Sequence, residues 1–437
     1  MASGALPGFR DFYPAELAER SFIFATWREV ARRYGFAEYD GPPLEPLELY
    51  TRKSGEEIVG QLYEFSDKGE RRVALRPEMT PTLARMVGAR ANALRKPIRW
   101  ASIPQLFRYE RQQRGRLREH FQLNLDIIGE ADVSADAELL AAAIDIMRAF
   151  GLTARDVVAR VSDRRLLHAV LTAIGITAEQ LPAAYAVMDK MERDTRDNLE
   201  RRLADAGISP GACAQLFELA HGVDDLDAFA RWCEAHDCAA PFALVRRYLS
   251  YLDALGLGEW VRLDLSIVRG LAYYTGIVFE LFDVQGELRA ICGGGRYDSL
   301  LKALGGVDLP ALGFGMGDVV LGDLLRARGL LPTHAPGVDV WVAYADGAAL
   351  TDAMRVAAQL RARGRSVEYA LGGQKLSRQL KAASSAGARD VLILPASDGA
   401  AREGVVRNLA RGEERHVSLD DWLNEQQLPD THSERHG

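Results

Sequence analysis

The sequence predicts an α+β chain of several domains. It should contain an antiparallel sheet with helices, a helical insertion dividing that domain, and a small C-terminal α/β domain. Three observations lead there. The chain has 437 residues, more than one ordinary core of ~100–200 residues holds. Strand and helix signals mix over 1–163 and return over 259–331, whereas 164–258 is almost wholly helical and rich in Ala, Leu, Arg and Glu. Strands then alternate with helices from 338 to 425. A composition of 48% hydrophobic and 26% charged residues is that of a folded globular protein. No apolar run approaches the ~20 residues that cross a bilayer. The first residues lack the basic and apolar stretches of a secretory signal. Four Cys in this length make no disulfide framework. A cytoplasmic protein without a membrane partner is therefore expected. The net charge of −7 argues against coating nucleic acid by bulk positive charge, but it leaves room for a local basic site.

Residues 15–34 read as a helix, with Leu17, Phe22, Phe24, Trp27, Val30 and Ala31 near helical spacing and Gly35 as its stop. The Pro-rich stretch Tyr39 to Pro46 is extended, because a residue before Pro avoids the helical region. Tyr63 to Pro77 reads as a hairpin turning at Lys68-Gly69. Residues 98–109 and 119–128 are two longer strands joined by a charged turn, and 135–150 is an Ala/Leu-rich helix. Within the helical segment, Met188 to Leu203 reads as one helix carrying both signs of charge. Strands follow at 261–265, 277–282 and 288–292. Residues 332–337 are the linker candidate. Beyond them come a strand at 338–345, a helix at 348–363, a strand at 366–370, a helix at 376–386 and a strand at 390–394. Residues 426–437 are a polar, frayed tail.

The strongest local signal is Phe107-Arg-Tyr-Glu-Arg-Gln-Gln-Arg-Gly-Arg-Leu-Arg-Glu-His-Phe-Gln. Five Arg (108, 111, 114, 116, 118) and Glu110 fall between 108 and 118. Turns ordinarily use Gly, Asn, Asp and Pro. Five guanidiniums between two strands suit a phosphate, whose geometry Arg matches. A solvated basic loop is the competing reading. Leu75-Arg-Pro-Glu-Met-Thr offers Glu78 and Thr80 as acceptors for an ammonium, or as polar caps of the helix that follows. Cys233 and Cys238, with His236 between them, lack a second ligand pair; they read as buried thiols, and no zinc is expected. His120, in the same turn as the arginines, is more naturally a loop contact than a general base.

These segments resemble the motifs of class II aminoacyl-tRNA synthetases. Phe107-Arg-Tyr-Glu-Arg is similar to motif 2, and Arg76-Pro-Glu-Met-Thr to an element of subgroup IIa. Ile267-Val-Arg-Gly-Leu-Ala-Tyr-Tyr-Thr-Gly and Gly293-Gly-Gly-Arg-Tyr-Asp are similar to the two signature blocks of the histidyl-tRNA synthetase family. The resemblance implies a class II synthetase catalytic domain over 1–163 and 259–331, an insertion at 164–258 that clamps the acceptor stem, and an anticodon-binding domain at 338–425. It also implies a homodimer, through a weak motif 1 around Pro43. Position by position, it makes Arg108 and Arg269 catalytic at the α-phosphate of ATP. Glu110, Arg116 and Arg296 become further ATP contacts. Glu78, Thr80, Gln122, Asp126, Tyr273 and Tyr274 become L-histidine contacts. Gly293, Gly294, Gly295 and Tyr297 become the pocket wall. Arg111, Arg114, Arg118, Lys375, Arg378 and Lys381 become tRNA contacts. The partners implied are ATP with Mg²⁺, L-histidine and tRNA(His), with no metal held by protein ligands.

Two departures stand out. Asp126 is shorter than the Glu of many relatives. Leu312-Gly-Phe-Gly-Met-Gly-Asp-Val-Val resembles motif 3 but has Val320 where the pattern has an Arg that touches the nucleotide. Loss of one charge-assisted contact costs about 1.5–3 kcal/mol unless offset. Arg114 or Arg116 is expected to offset it, since Arg326 and Arg328 lie too far along the helix. The motif 3 loss alone favours a non-catalytic paralogue of the family, such as a regulatory subunit of ATP phosphoribosyltransferase. The intact signature blocks and the C-terminal domain favour a ligase of histidine over that paralogue, and over synthetases for proline, threonine or glycine.

Overall fold

The computed structural model describes residues 4–51, 60–110, 115–191, 194–219, 222–223, 225–268, 274–286, 288–332, 337–396 and 403–426. The chain forms two compact units, 1–332 and 333–437.

The first unit begins with α1 (Pro14–Arg33), β1 (Ala37–Glu38), β2 (Leu44–Pro46), α2 (Glu48–Thr51), β3 (Tyr63–Ser66), β4 (Arg72–Leu75) and α3 (Thr80–Arg90). Then come β5 (Ile98–Ser102), β6 (Gln105–Phe107), β7 (Glu119–Ile128), α4 (Ser134–Ala149) and β8 (Val157–Asp163). Six helices follow among the described residues: α5 (Arg164–Ala173), α6 (Leu181–Met188), α7 (Arg196–Asp205), α8 (Pro210–Leu219), α9 (Leu226–Ala235) and α10 (Ala239–Ala254). The unit closes with β9 (Val261–Leu263), β10 (Ile277–Asp283), β11 (Cys292–Arg296), α11 (Leu300–Gly305), β12 (Ala311–Gly317) and α12 (Asp318–Ala327).

The main sheet runs β1-β5-β7-β12-β11-β10-β8-β9, with β6 also paired to β7. Its inner pairings, from β5 to β8, are all antiparallel, and the outer pairs β1·β5 and β8·β9 are parallel. A small sheet, β2-β4-β3, stands beside it. Pro14 starts α1 with its φ already set. Trp27, Val30 and Ala31 bury one face of that helix, and Gly35, at φ +72°, ends it. Helix α4 is buried along most of its length beneath the sheet. Side chains of α5–α10 join the same apolar cluster as Phe279 and Phe314 of the sheet, so the helical segment and the sheet share one core.

Four local expectations change. The strand expected over 98–109 is broken at Ile103-Pro104, since Pro has no N–H to give to a ladder; the Pro104 carbonyl accepts from Gln122 N instead (3.2 Å). The helix expected over Met188 to Leu203 is two helices: Met188 ends α6, and α7 starts at Arg196. The strand expected at 288–292 lies at 292–296, on glycines that strand propensity disfavours. At the far end of the chain, β16, β17 and α15 (ranges below) had no sequence expectation.

The second unit holds β13 (Val340–Tyr344), α13 (Leu350–Ala362), β14 (Val367–Tyr369), α14 (Leu376–Ser385), β15 (Asp390–Leu394), β16 (Glu403–Asn408), β17 (Glu414–Ser418) and α15 (Leu419–Glu425). Its sheet, β14-β13-β15-β16-β17, is parallel over the first three strands and antiparallel over the last two. No helix among the described residues is long and apolar enough to cross a membrane.

Helices α3 and α11 meet backbone to backbone, since a Cβ on Gly88 would strike Gly305 O and lie 3.1 Å from Gly305 Cα. Gly88→Ala therefore lowers unfolding free energy by about 1–3 kcal/mol through overpacking, measured by urea denaturation.

Candidate active site: a glycine-floored acid beside an arginine-lined cavity

The site is built on the pairing of β7 with β12. Gly313, Gly315 and Gly317 face Asp126, Asn124 and Gln122 across the ladder. A Cβ on Gly313 would strike Asp126 Oδ1, and one on Gly315 would stand 2.7 Å from Gln122 Cδ. These glycines leave the volume that the acid and the amide fill. Asp126 is 5% exposed, and its Oδ1 accepts from the Tyr297 hydroxyl. Burial pushes its carboxyl up to about 7, and the Tyr297 bond offsets only part of that.

One strand further, Gly294 lies against Gly313 O and Phe314. Gly295 lies 2.5 Å (by its would-be Cβ) from Ile277 O and 3.0 Å from Tyr274 Cδ1. These two glycines therefore admit neighbouring protein, where a ligand-facing wall was expected. Gly293 lines the cavity described next.

That cavity, of about 160 Å³, lies beside Gln122 and is walled by Arg108, Arg116, His120, Ile291 and Val320. Arg108 Nε donates to Pro77 O (2.9 Å), which ties β6 to the Arg76-Pro-Glu-Met-Thr turn. Arg76 holds that turn from within, donating to Gln105 O (3.0 Å), Asp40 (2.8 Å) and Gly41 O (2.7 Å). Glu78 and Thr80 are half-buried at the start of α3. Burial raises the Glu78 carboxyl, with Arg108 pulling the other way. Glu110 is buried and paired with Arg116. Arg118 donates to Glu110 O (3.3 Å) and stacks 4.2 Å over the Tyr109 ring. The His120 imidazole is driven down to about 3 by burial, then by Arg108, Arg10 and Arg116. It is a neutral ring on the cavity wall, a role its place among arginines does not advertise.

Arg296 corrects the expectation of an ATP contact. It is 3% exposed and absent from the cavity wall. Its Nη2 donates to Asp136 (2.5 Å) and its Nη1 to Glu130 O (2.9 Å) and Asp298 (3.3 Å), so the guanidinium clamps α4 to β11. Burial raises the Asp136 carboxyl to about 6 even so. Arg326 pairs with Glu19 (2.8 Å), and Arg328 with Asp156 (3.2 Å) and Asp283 (3.1 Å); neither turns back to the Val320 position. Arg111, Arg114, Arg269 and Tyr273 lie outside the described residues, so the expected offset by Arg114 does too. In the second unit, Lys375, just before α14, and Arg378 and Lys381 on it are exposed.

A network that motif reading missed holds the cavity together. Arg10 donates to Glu119 (2.7 Å) and Asp318 (2.9 Å), and Asp318 accepts from Phe121 N (2.9 Å). The N-terminal segment thus straps the start of β7 to the start of α12. The acid in the first turn of α12 was the available signal, since a buried carboxylate at a helix N-terminus needs partners. Cys233 and Cys238 are buried, and burial pushes the Cys233 thiol up to about 12, far from a thiolate ligand. Among the described residues, no group of three or more His, Cys, Asp or Glu is placed to hold a metal.

The Arg296 geometry has a direct consequence. Arg296→Ala strands Asp136 and lowers unfolding free energy by about 3–5 kcal/mol in urea titration. A nucleotide contact would instead leave the urea midpoint unchanged and raise the ATP KM.

The histidyl-tRNA synthetase family model matches residues 8–317. The chain is similar to the histidine–tRNA ligase of Opitutus terrae, 47% identical over 89% of this chain and 90% of that protein. It is also similar to the chloroplastic/mitochondrial histidine–tRNA ligase of Arabidopsis thaliana, 41% identical over 95% of this chain and 85% of that protein. Among solved structures, histidyl-tRNA synthetase from Nostoc sp. PCC 7120 superposes with a TM-score of 0.85 at 24% identity, covering 98% of this chain and 99% of that one. An ATP phosphoribosyltransferase regulatory subunit/histidyl-tRNA synthetase from Bacillus halodurans superposes at 0.74 and 22% identity, covering 91% of this chain and 99% of that one. The last two likenesses speak to fold alone. With its family model spanning most of the chain and its curated relatives matched over nearly their whole length, the chain belongs to the histidyl-tRNA synthetase family.

Proposed function

We propose that the chain is a histidine–tRNA ligase, which activates L-histidine with ATP and passes it to tRNA(His). The observation that carries this reading is the Asp126–Tyr297 pair, buried and glycine-floored, beside an arginine-lined cavity. A neutral imidazole has one donor and one acceptor nitrogen. Asp126 accepts from the donor, and side chains that cannot pair leave a buried polar group unsatisfied and are rejected. Glu78 and Thr80 take the α-ammonium, with Gln122, Tyr273 and Tyr274 completing the pocket.

The histidine carboxylate then attacks the α-phosphate of ATP, forming the mixed anhydride histidyl-adenylate and releasing pyrophosphate. The terminal ribose hydroxyl of tRNA takes the acyl group and releases AMP. Arg108 and Arg269 stabilise the charge that builds on the phosphate, so catalysis is positioning plus electrostatics. His120 supplies a flat, uncharged wall to the cavity.

Mg²⁺ is expected with ATP. The described cavity wall offers it one carboxylate, Glu110, already paired with Arg116. That donor set does not fit a protein-held metal, and no step runs through one. Arg111, Arg114 and Arg118 are assigned to the acceptor end of tRNA, and the helices of 164–258 to its stem. Lys375, Arg378 and Lys381 are assigned to the anticodon side, supported by their exposure along one helix. A homodimer is supported by β1, an edge strand with both residues exposed. The location that goes with this reading is the cytoplasm.

The deciding assay is histidine-dependent exchange of pyrophosphate into ATP, with Arg269→Ala as control. Exchange well above the control is expected; none would favour the regulatory paralogue. Asp126 adds a pH signature. Its folded value, near 7, is raised above the ordinary carboxylate value of 3.8. The folded chain therefore holds the extra proton between roughly pH 4 and 7, and stability from this group is lost as pH rises through that window. Asp126→Asn removes the penalty. By calorimetry the variant melts higher than the parent at pH 8, by more than at pH 5, while histidine-dependent exchange falls by orders of magnitude.

A further inference from the structure

The cavity beside Asp126 draws its arginines from one side. Arg108 and Arg116 flank the turn before β7, and the facing wall is Val319 and Val320 of α12, with Ala290 and Ile291 leading into β11. Of the other cations nearby, Arg116 is paired with Glu110, while Arg326 and Arg328 turn away from the cavity to Glu19, Asp156 and Asp283. A further arginine stands at the rim. A Cβ built on Gly115 would stand 3.2 Å from Val320 Cγ2 and 3.9 Å from Arg289 Cδ. The Arg289 side chain and Val320 therefore converge on the same point of the cavity rim. Arg289 is exposed, and the two residues after it line the cavity. Its backbone approach is fixed by Ile291, whose N–H donates to Leu281 O at 2.8 Å.

We infer that Arg289 is the cation that binds the β- and γ-phosphates of ATP, in the place left by the arginine missing at Val320. This rests on the proposed nucleotide site. An Arg fork matches the paired oxygens of a polyphosphate. A stem that starts outside the cavity and reaches over its rim meets the outer phosphates, while Arg108, anchored on Pro77 O, serves the inner one. Val320 belongs to the same device. Both side chains border Gly115, so an arginine at 320 would bring a second guanidinium close to Arg289 and repel it. The same anion contact is thus reached from the segment before β11 instead of from α12.

The test uses the full chain in histidine-dependent pyrophosphate exchange, with AMP as a competitive inhibitor lacking the outer phosphates. For Arg289→Ala, the KM for ATP and the KM for pyrophosphate each rise about tenfold, the worth of one charge-assisted contact. AMP inhibition stays within about twofold of the parent, which also reports an intact site, and Arg289→Lys falls between the two. Unchanged KM values for ATP and pyrophosphate would overturn the inference. So would AMP inhibition weakened by the same factor as ATP. Failure of the parent chain itself to exchange would instead overturn the nucleotide site and this inference with it.

Discussion

The ladder between β7 and β12 constrains everything the site does. β7 presents an acid and an amide to a neighbour that carries glycine at the matching positions, and a side chain at 313 or 315 would occupy the volume of Asp126 or Gln122. The device is repeated on β11, where Gly294 rests on Gly313 O and Phe314. Four adjacent strands, β10-β11-β12-β7, thereby pack closely around a buried acid. Desolvation then sets the chemistry: the same burial that raises Asp126 makes it intolerant of any guest that cannot hydrogen-bond to it.

Charge pairs with at least one buried partner hold this sheet in register with distant parts of the chain. Arg10 reaches Glu119 and Asp318, Arg296 reaches Asp136, and Arg76 reaches Asp40. Such pairs return little net stability, since desolvation offsets most of the attraction. Their geometry is selective, however. Each joins segments that the chain separates by tens to hundreds of residues, and two of them end on elements that wall the cavity. We read them as devices that fix where β6, β7, β11 and α12 meet, because a shift of one residue would strand a charge.

How legible this was depended on the scale of the cause. Helix α1 follows from local periodicity and α4 from its Ala/Leu-rich composition, and both appear within a residue or two of expectation. The glycine strand β11 does not, because its strand character comes from neighbours on both sides and not from propensity. The break at Pro104 was written in the residue itself. Motif resemblance named Arg108, Gln122, Asp126 and Tyr297, which the fold gathers around the β7–β12 pairing. It misplaced Arg296, because a conspicuous Gly-Gly-Gly-Arg-Tyr-Asp block does not say which way an arginine points; the acid that claims it, Asp136, sits 160 residues earlier. Arg10 escaped for the same reason, with partners 109 and 308 residues away.

The arginine-rich turn also changes how the chain's acidity bears on tRNA. Five arginines within 108–118 invite the picture of a free basic patch offsetting a net charge of −7. Three of the five are described, and each has work inside the protein: Arg108 on Pro77 O, Arg116 on Glu110, Arg118 on Glu110 O and the Tyr109 ring. A cation already paired with a carboxylate contributes little to the long-range attraction of a polyanion, because at a distance the pair is a dipole. Attraction for a nucleic acid must then come from cations that lack a carboxylate neighbour. The exposed Lys375, Arg378 and Lys381 of α14 answer that description better than Arg116 does, as no carboxylate is paired with any of them among the described contacts. On the proposed reading, Arg108 and Arg118, whose partners are neutral carbonyls, keep their charge beside Lys375, Arg378 and Lys381, and only Arg116 is discounted, so salt should weaken the encounter through the turn and α14 alike.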